Sequence, residues 1–167
     1  MDFVPLQPPY ENYSINKNGD LINNKKQKPL RAWNNRAGYK CFTLRNWELN
    51  IKRNLTMHRL LGLSFIPNPH NYPCIDHIDR NVKNNNLNNL RWCSNQMNAI
   101  NRTSKNKLGR GIEYSRNKQR FYVNLWRNRK KKYIGVFDTI EEAKKAYKNA
   151  VLDWCEENNI ENTADLD

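Results

Sequence analysis

The sequence lacks any apolar run of the length that a membrane helix needs, which is about 18 residues. It also holds little material for a large core, because only 38% of its 167 residues are hydrophobic and the mean hydropathy is −1.01. This composition argues against a large α/β enzyme with a deep pocket. The length suits one domain or two or three very small ones. The N-terminal segment has no basic-then-apolar signal pattern, so we expect a cytoplasmic protein that is neither secreted nor bound to a membrane.

The four cysteines, Cys41, Cys74, Cys93 and Cys155, include no Cys-x-x-Cys pair. The three histidines do not supply the missing spacing. A structural zinc site, which needs four close ligands, is therefore not indicated. We expect free, partly buried thiols, as is typical of a reducing compartment.

Acidic residues are scarce outside the C-terminus. The chain has 29 Lys and Arg against 16 Asp and Glu, and its formal net charge is +13. Six of these acids lie within residues 153–167, which contain no Lys or Arg, so 29 basic residues face only ten acidic ones in the rest of the chain. Such a field attracts a polyanion. Nucleic acid is the leading candidate, because aromatic residues are interleaved with the charge, and an anionic membrane is the second.

Turn signals and prolines organise the first two thirds of the chain. Asn18-Gly19 between Tyr13–Ile15 and Leu21-Ile22 predicts a hairpin, and a second strand pair is expected at 39–44 and around 55–57. A helical pattern over 58–65 is ended by prolines. A short strand over 73–78, an Asn-rich turn, a strand from Leu90 and a helix over 94–101 are predicted next.

The last third alternates apolar and polar side chains over 121–126, which is strand spacing, and a further strand is predicted over 133–137. Thr139 and Glu142 form a capping box. The helix after it places Ala143, Ala146, Tyr147, Ala150 and Trp154 on one face. A small sheet with one helix packed on it is the expected result.

The stretch 75–98 carries the chemistry. It contains Asp76-His77, the segment Asn85–Leu90, Arg91-Trp92, and Asn98 nine residues after Asn89. With His58-Arg59-Leu60 and the segment 65–69 upstream, it resembles the HNH (ββα-metal) nucleases of phage and intron homing endonucleases.

The resemblance implies a role for each matching residue. Asp76 and Asn98 would hold one divalent ion per active site, Mg²⁺ or Mn²⁺, which prefers oxygen ligands and keeps several waters. His77 would act as general base on water. Asn89 would orient the imidazole or pin the loop. His58 is read as structural or phosphate-contacting, and Asp79 as a turn acceptor in preference to a metal ligand.

One position departs from the family pattern. After the histidine, the family usually has His-x-Asp-Gly-Asn, whereas this chain has Arg80 in the glycine place. If the turn needs a positive φ, Arg80 is strained there. Alternatively, Arg80 gains a phosphate contact.

Residues 109–150 resemble the Apetala/ethylene-responsive-factor DNA-binding domain, on Arg110-Gly111-Ile112, 120–125, 133–139 and 141–147. That family places its three-stranded sheet in the major groove. By alternation, Phe121, Val123 and Leu125 would face the helix. Side chains over the sheet, the nuclease core and the basic linker before the sheet are expected to contact DNA: Arg80, Arg91, Arg102, Lys105, Lys107, Arg110, Tyr114, Arg116, Arg120, Tyr122, Asn124, Trp126, Arg127 and Arg129.

Residues 10–45 look like the small NUMOD-type module that precedes HNH domains, on 13–19 and Gly38-Tyr39. The expected fold class is α+β. The predicted division is a β-rich NUMOD-like module (1–52), a ββα-metal nuclease core (53–102), a basic linker (103–108), a three-stranded sheet packed on one helix (109–157) and an acidic tail (158–167).

The sequence thus predicts a homing-type, site-specific endonuclease of double-stranded DNA that needs no small-molecule cofactor. Acting as a monomer, it would nick one strand and leave 5′-phosphate and 3′-hydroxyl. One rival is a non-catalytic DNA-binding regulator with a relic nuclease fold, and another is a protein that binds or cleaves RNA.

Overall fold

A computed structural model describes residues 2–102, 106–127 and 129–160. The chain divides into two compact units, residues 1–98 and residues 99–167. The described segments form small antiparallel sheets with three α-helices, so the predicted α+β class is confirmed. None of the helices in these segments is long and apolar enough to cross a bilayer.

The first unit contains three sheets. The first has the order β1-β2-β3-β4, the second β5-β6-β7, and the third is the β8-β9 pair. Their strands are β1 (Val4–Pro5), β2 (Tyr13–Ile15), β3 (Leu21–Asn23), β4 (Lys28–Pro29), β5 (Trp33–Asn34), β6 (Lys40–Asn46), β7 (Ile51–Thr56), β8 (Cys74–His77) and β9 (Leu90–Cys93). Helix α1 (Met57–Phe65) follows β7, and a short 3-10 helix (Leu87–Asn89) precedes β9.

The predicted hairpin is confirmed as the β2–β3 pair. Its turn packs tightly on the start of α1, since a Cβ added to Gly19, where φ is +80°, would lie 1.7 Å from the Met57 side chain. The strands predicted at 39–44 and around 55–57 are confirmed as the β6–β7 pair. One core cluster, which includes Ile15, Leu44, Leu61 and Leu90, runs through this unit.

Helix α1 anchors the β8–β9 pair. A Cβ added to Gly62 would lie 2.4 Å from the Ile75 side chain, so only glycine lets α1 approach β8 this closely. The indole N–H of Trp92 on β9 donates to the carbonyl of Ile66, just after α1, at 2.9 Å. Helix and strand pair are therefore held together by both packing and a hydrogen bond.

The second unit is a sheet of β10 (Ile112–Ser115), β11 (Arg120–Arg127) and β12 (Lys130–Phe137), with α3 (Ile140–Glu157) packed on it. The predicted capping box is confirmed, because the Thr139 and Glu142 side chains each accept from the other residue's backbone N–H. Ala143 and Val151 of α3 are fully buried. Helix α2 (Asn95–Asn101) begins in the first unit and ends in the second.

In the turn after β8, Arg80 has a positive φ at the place where the HNH pattern usually has glycine. Arg80 has φ of +63°, and its N–H donates to the carbonyl of His77 at 3.0 Å. A side chain with a Cβ is strained by about 1–2 kcal/mol in this left-handed region.

We therefore predict that Arg80→Gly stabilises the protein by about 0.5–1 kcal/mol, because relief of strain exceeds the larger chain entropy that glycine loses on folding. The free energy of unfolding in urea measures this. Arg53→Gly, in the exposed middle of β7, is the matched control and should destabilise the protein. A loss of stability in Arg80→Gly would mean that contacts of the Arg80 side chain outweigh the strain.

Candidate active site

Asp76 and His77 are the last two residues of β8 in the first unit, and pairing with β9 fixes both. The two residues are only 9% and 4% exposed. The register sets Asp76 directly opposite Arg91 and His77 opposite Leu90. Arg91 Nη2 lies 3.2 Å from Asp76 Oδ2, so a guanidinium neutralises the carboxylate from across the ladder.

Two rings and one amide surround the imidazole of His77. The ring of His58, at the start of α1, meets it edge-on with centroids 4.9 Å apart, and the Tyr39 ring lies 6.0 Å away. Nε2 of His77 is 3.3 Å from Oδ1 of Asn85. The imidazole is thus fixed by neighbours from three separate segments of the chain.

His58 is the second histidine of this group. Burial, then the nearby His77 and Arg59, lower its pKa from 6.5 to about 4. Its Nε2 lies 3.3 Å from the Thr56 hydroxyl, and its ring is 5.1 Å from that of Tyr39. His58 is therefore neutral at physiological pH and packs against His77 without repelling a charge on it.

Asn89 holds the loop that follows β8. Its Oδ1 accepts from the N–H of Asp79 at 3.0 Å, and its Nδ2 donates to Asp79 Oδ1 at 2.9 Å and to the carbonyl of Asn84 at 2.8 Å. These bonds correspond to the second of the two expected roles, pinning of the loop. The catalytic contribution of Asn89 stays a prediction.

The Asp79 carboxylate accepts several hydrogen bonds in the same loop. It accepts from the side chain of Asn84 at 2.7 Å and from the N–H of Asn81 at 2.8 Å. The hydrogen bond from Asn84 contributes most to lowering the pKa of this carboxyl. These bonds match the turn-acceptor interpretation of Asp79.

Asn98 lies on α2, whose start is joined to β8 by a side-chain contact. The Cys74 thiol lies 3.1 Å from Oδ1 of Asn95, which joins β8 to the start of this helix. Cys74 and Asp76 share a face of β8, and Asn95 and Asn98 share a face of α2. Asp76 and Asn98 therefore lie on the faces of β8 and α2 that this contact joins.

The donor chemistry fits a hard divalent cation. One carboxylate and one amide oxygen suit Mg²⁺, which keeps several waters. The described residues hold no cluster of three or more His, Cys, Asp or Glu side chains, so a site here depends on the amide. The metal roles of Asp76 and Asn98 stay predictions.

All four cysteines are free, as expected. Cys93 lies opposite Cys74 in the ladder. Burial, then the Asp76 charge, raise the pKa of Cys93 to about 12. Burial also raises the pKa of Cys41 and Cys155. Thiolate chemistry at Cys93 is therefore suppressed beside the candidate site.

Several arginines expected to contact DNA have partners inside the chain. Arg91 pairs with Asp76, and Arg110 donates to the carbonyl of Ala99 near the end of α2 at 2.6 Å. Arg120 forms a two-pronged ion pair with Asp138 at 2.6 and 3.1 Å. The guanidinium carbon of Arg127 lies 5.3 Å from the centroid of the Trp154 ring.

The sheet of the second unit corrects one expected orientation. Asn124 does not face outward, since it is only 5% exposed at a β-bulge between Val123 and Asn124 that breaks the alternation. Tyr114 lies opposite Phe121 in the ladder, with the two tilted rings 4.9 Å apart, and 44% of its surface is exposed. Trp126 does face outward, with 58% of its surface exposed.

The other expected contacts are distributed over the surface. Arg102, Lys107, Arg116 and Arg129 are exposed, and Tyr122 is half-buried. Lys105 lies outside the described residues. For all of these side chains, and for the arginines with partners inside the chain, contact with DNA stays a prediction.

Sequence reasoning missed three contributors to the site: Asn85 and Tyr39 beside the imidazole, and the pairing of Arg91 with Asp76. Asn85, whose amide contacts His77, lies in the Asn-rich run 84–89, where the sequence does not distinguish it from its neighbours. Tyr39 is far away in sequence. The Arg91 partner could have been found by pairing the two predicted strands in register.

No family model matches the chain. It is 36% identical over 89 residues to an uncharacterized HNH endonuclease (L245) of Acanthamoeba polyphaga mimivirus, an alignment that covers 53% of this chain and 26% of the viral protein. The chain thus spans about a quarter of the length of that relative.

Among solved structures, the HNH homing endonuclease I-HmuI, studied for DNA binding and cleavage, matches with a TM-score of 0.51 and 24% identity. The match covers 59% of this chain and 56% of that one. The chain is therefore similar in sequence to an HNH endonuclease, and in fold to an HNH homing endonuclease.

Proposed function

We propose that the chain is a site-specific DNA endonuclease of the homing type, active as a monomer in the cytoplasm, that hydrolyses one phosphodiester of double-stranded DNA. The observation that carries the proposal is the adjacent pair Asp76 and His77, both buried and fixed by the β8–β9 ladder. The pair offers an anionic oxygen for a cation and a base for water at neighbouring positions of one strand. The similarity to HNH endonucleases, in sequence and in fold, supports the same reaction class.

In this proposal His77 takes the proton from the attacking water. Asn85 and the rings of His58 and Tyr39 hold the imidazole in one orientation, so little rearrangement is needed when water is deprotonated. A neutral imidazole is a competent base near pH 7. The attack leaves 5′-phosphate and 3′-hydroxyl, and one site per chain cuts one strand.

Asp76 and Asn98 would hold one Mg²⁺ or Mn²⁺, which neutralises charge on the scissile phosphate and the leaving oxygen when bound. Arg91 keeps the Asp76 carboxylate in place from the neighbouring strand. In the second unit, the exposed Trp126 and the exposed Lys131 directly opposite it on β12 share a sheet face that suits DNA.

We predict that His77→Ala lowers the nicking rate by about 10²–10⁴-fold while DNA binding is retained. The rate is measured as conversion of supercoiled plasmid to the open circle, once with Mg²⁺ and once with excess chelator. Binding is measured by a mobility shift. His70→Ala is the matched control, since His70 is an exposed loop residue that stacks on Tyr72.

Equal loss of binding and cleavage in His77→Ala would remove His77 as the base. Full activity in chelator would contradict the metal roles of Asp76 and Asn98. A wild-type chain that binds plasmid but never nicks it would favour the relic regulator. Tighter binding to structured RNA than to duplex DNA would favour the RNA alternative.

The ring cluster also predicts sensitivity to acid. The folded-state pKa of His58, about 4, lies below its ordinary value of 6.5, so the unfolded chain binds the proton more tightly. Stability is therefore complete above pH 6.5 and falls as the pH drops from 6.5 toward 4, by on the order of 2–3 kcal/mol in total.

Urea unfolding of wild type and His58→Gln at several pH values between 7 and 4 measures this. The variant should lose that part of the pH dependence. The lowered pKa of Asp79 acts in a separate window, since its contribution is lost only below the ordinary value of 3.8. Identical pH profiles for the two proteins would contradict the buried neutral state of His58.

A further inference from the structure

A polar groove of about 570 Å³ lies beside the candidate site in the first unit. It is formed by the β2–β3 turn, the start of β6, the start of α1 and the loop before β9. Its lining consists of Lys17, Asn18, Lys40, Met57, Lys83, Asn85, Asn86, Leu87 and Asn88. The groove thus contains three ammonium groups and four amides, and no carboxylate.

The lysines that line the groove form no ion pair within the segments that the structure describes. Lys17, Lys40 and Lys83 are exposed, and none forms an ion pair with a carboxylate in the part of the chain that the structure describes. Three cations that converge on one concavity repel one another, and this repulsion is relieved by a bound anion.

The walls of the groove are rigid. In the β2–β3 turn, the buried Asn16 side chain accepts from the backbone N–H groups of Asn18 and Asp20 at 3.0 and 2.9 Å. In the loop, Asn81 Oδ1 accepts from the N–H of Lys83 at 3.1 Å. A Cβ on Gly38 would lie 3.5 Å from the Val82 side chain, which joins the segment before Lys40 to this loop.

The groove reaches a side chain that contacts the imidazole of His77. Asn85 lines it, and the Oδ1 of the same residue lies 3.3 Å from Nε2 of His77. A phosphate backbone that occupies the groove would thus be separated from the proposed base by the Asn85 side chain.

We propose that this groove binds the phosphodiester backbone of one DNA strand next to the bond that is cut, with Lys17, Lys40 and Lys83 each neutralising a phosphate; the proposal rests on the proposed function. Lysine binds phosphate as a point charge, and amide side chains donate to phosphate and sugar oxygens. Such contacts fix the position of the strand without reading its sequence.

The test is the salt dependence of DNA binding by the full chain. Each neutralised phosphate contributes about 0.9 to the slope of log K against log salt concentration. The triple variant Lys17→Gln, Lys40→Gln, Lys83→Gln should thus bind a 30-base-pair fluorescent duplex with a slope shallower by about two to three.

The matched control is Lys144→Gln, Lys145→Gln, Lys148→Gln on α3, which removes the same charge from the other unit and lies outside the groove. Its slope should stay within about half a unit of the wild-type value. In plasmid nicking, the groove variant should raise KM, whereas kcat should change by less than about threefold, because the imidazole is untouched.

Equal slopes for the groove variant and the control would overturn the proposal, whether or not the wild-type chain nicks DNA. A wild-type chain that fails to nick while the slopes differ would overturn the proposed function and leave the groove as a backbone-binding site. If the triple variant does not fold, the three single variants should each lower the slope by about 0.9, and unchanged slopes in all three would refute the groove.

Discussion

The ladder between β8 and β9 is the constraint on which the candidate site depends. Its register alone decides that Asp76 faces Arg91 and that His77 faces Leu90. A slip of one residue would exchange the two faces of the strand and separate the acid from its guanidinium. A two-stranded ladder is marginally stable in water, so the register is held from outside, by Gly62 of α1 against Ile75 and by the Trp92 indole on the Ile66 carbonyl. A helix without catalytic groups therefore sets the geometry of the groups that would react.

The asparagine-rich loop between β8 and β9 is ordered mainly by neutral side chains. Charged side chains could also order such a loop, but the chain is already strongly basic. Asn84, Asn85 and Asn89 instead order the loop with neutral amides, which bond to Asp79, to the imidazole and to the backbone. Asp79 is the one carboxylate at the centre of these bonds. The loop is thus both ordered and nearly neutral where it meets the ring, while Lys83 carries its positive charge to the side that lines the groove.

Local signals predicted the parts of the fold that depend on neighbouring residues. The Asn18-Gly19 hairpin, the helix that ends before Pro67 and the Thr139–Glu142 capping box all follow from contacts within a few positions. The motif around Asp76 and His77 predicted which strand would carry the candidate site.

What could not be predicted is non-local: the short strands β1, β4 and β5 have no periodic pattern of their own, and the bulge that buries Asn124 depends on the pairing of β11 with β12. The partners of Arg110 and Arg120 likewise lie at other elements, 11 and 18 positions away.

The structure divides its cations between two tasks. Arginine, with its planar arrangement of donors, suits fixed partners. Arg91 and Arg120 each pair with a carboxylate of the chain, and Arg127 lies over an indole ring. Lysine is a flexible point charge, and the groove beside His77 is lined by lysines that lack such partners within the described segments. A count of basic residues treats both kinds alike and therefore overstates how many arginines are available to a polyanion. Lys17, Lys40 and Lys83 carry part of the charge that is left without an ion pair in the described segments, and they line the groove that the proposed function assigns to one DNA strand.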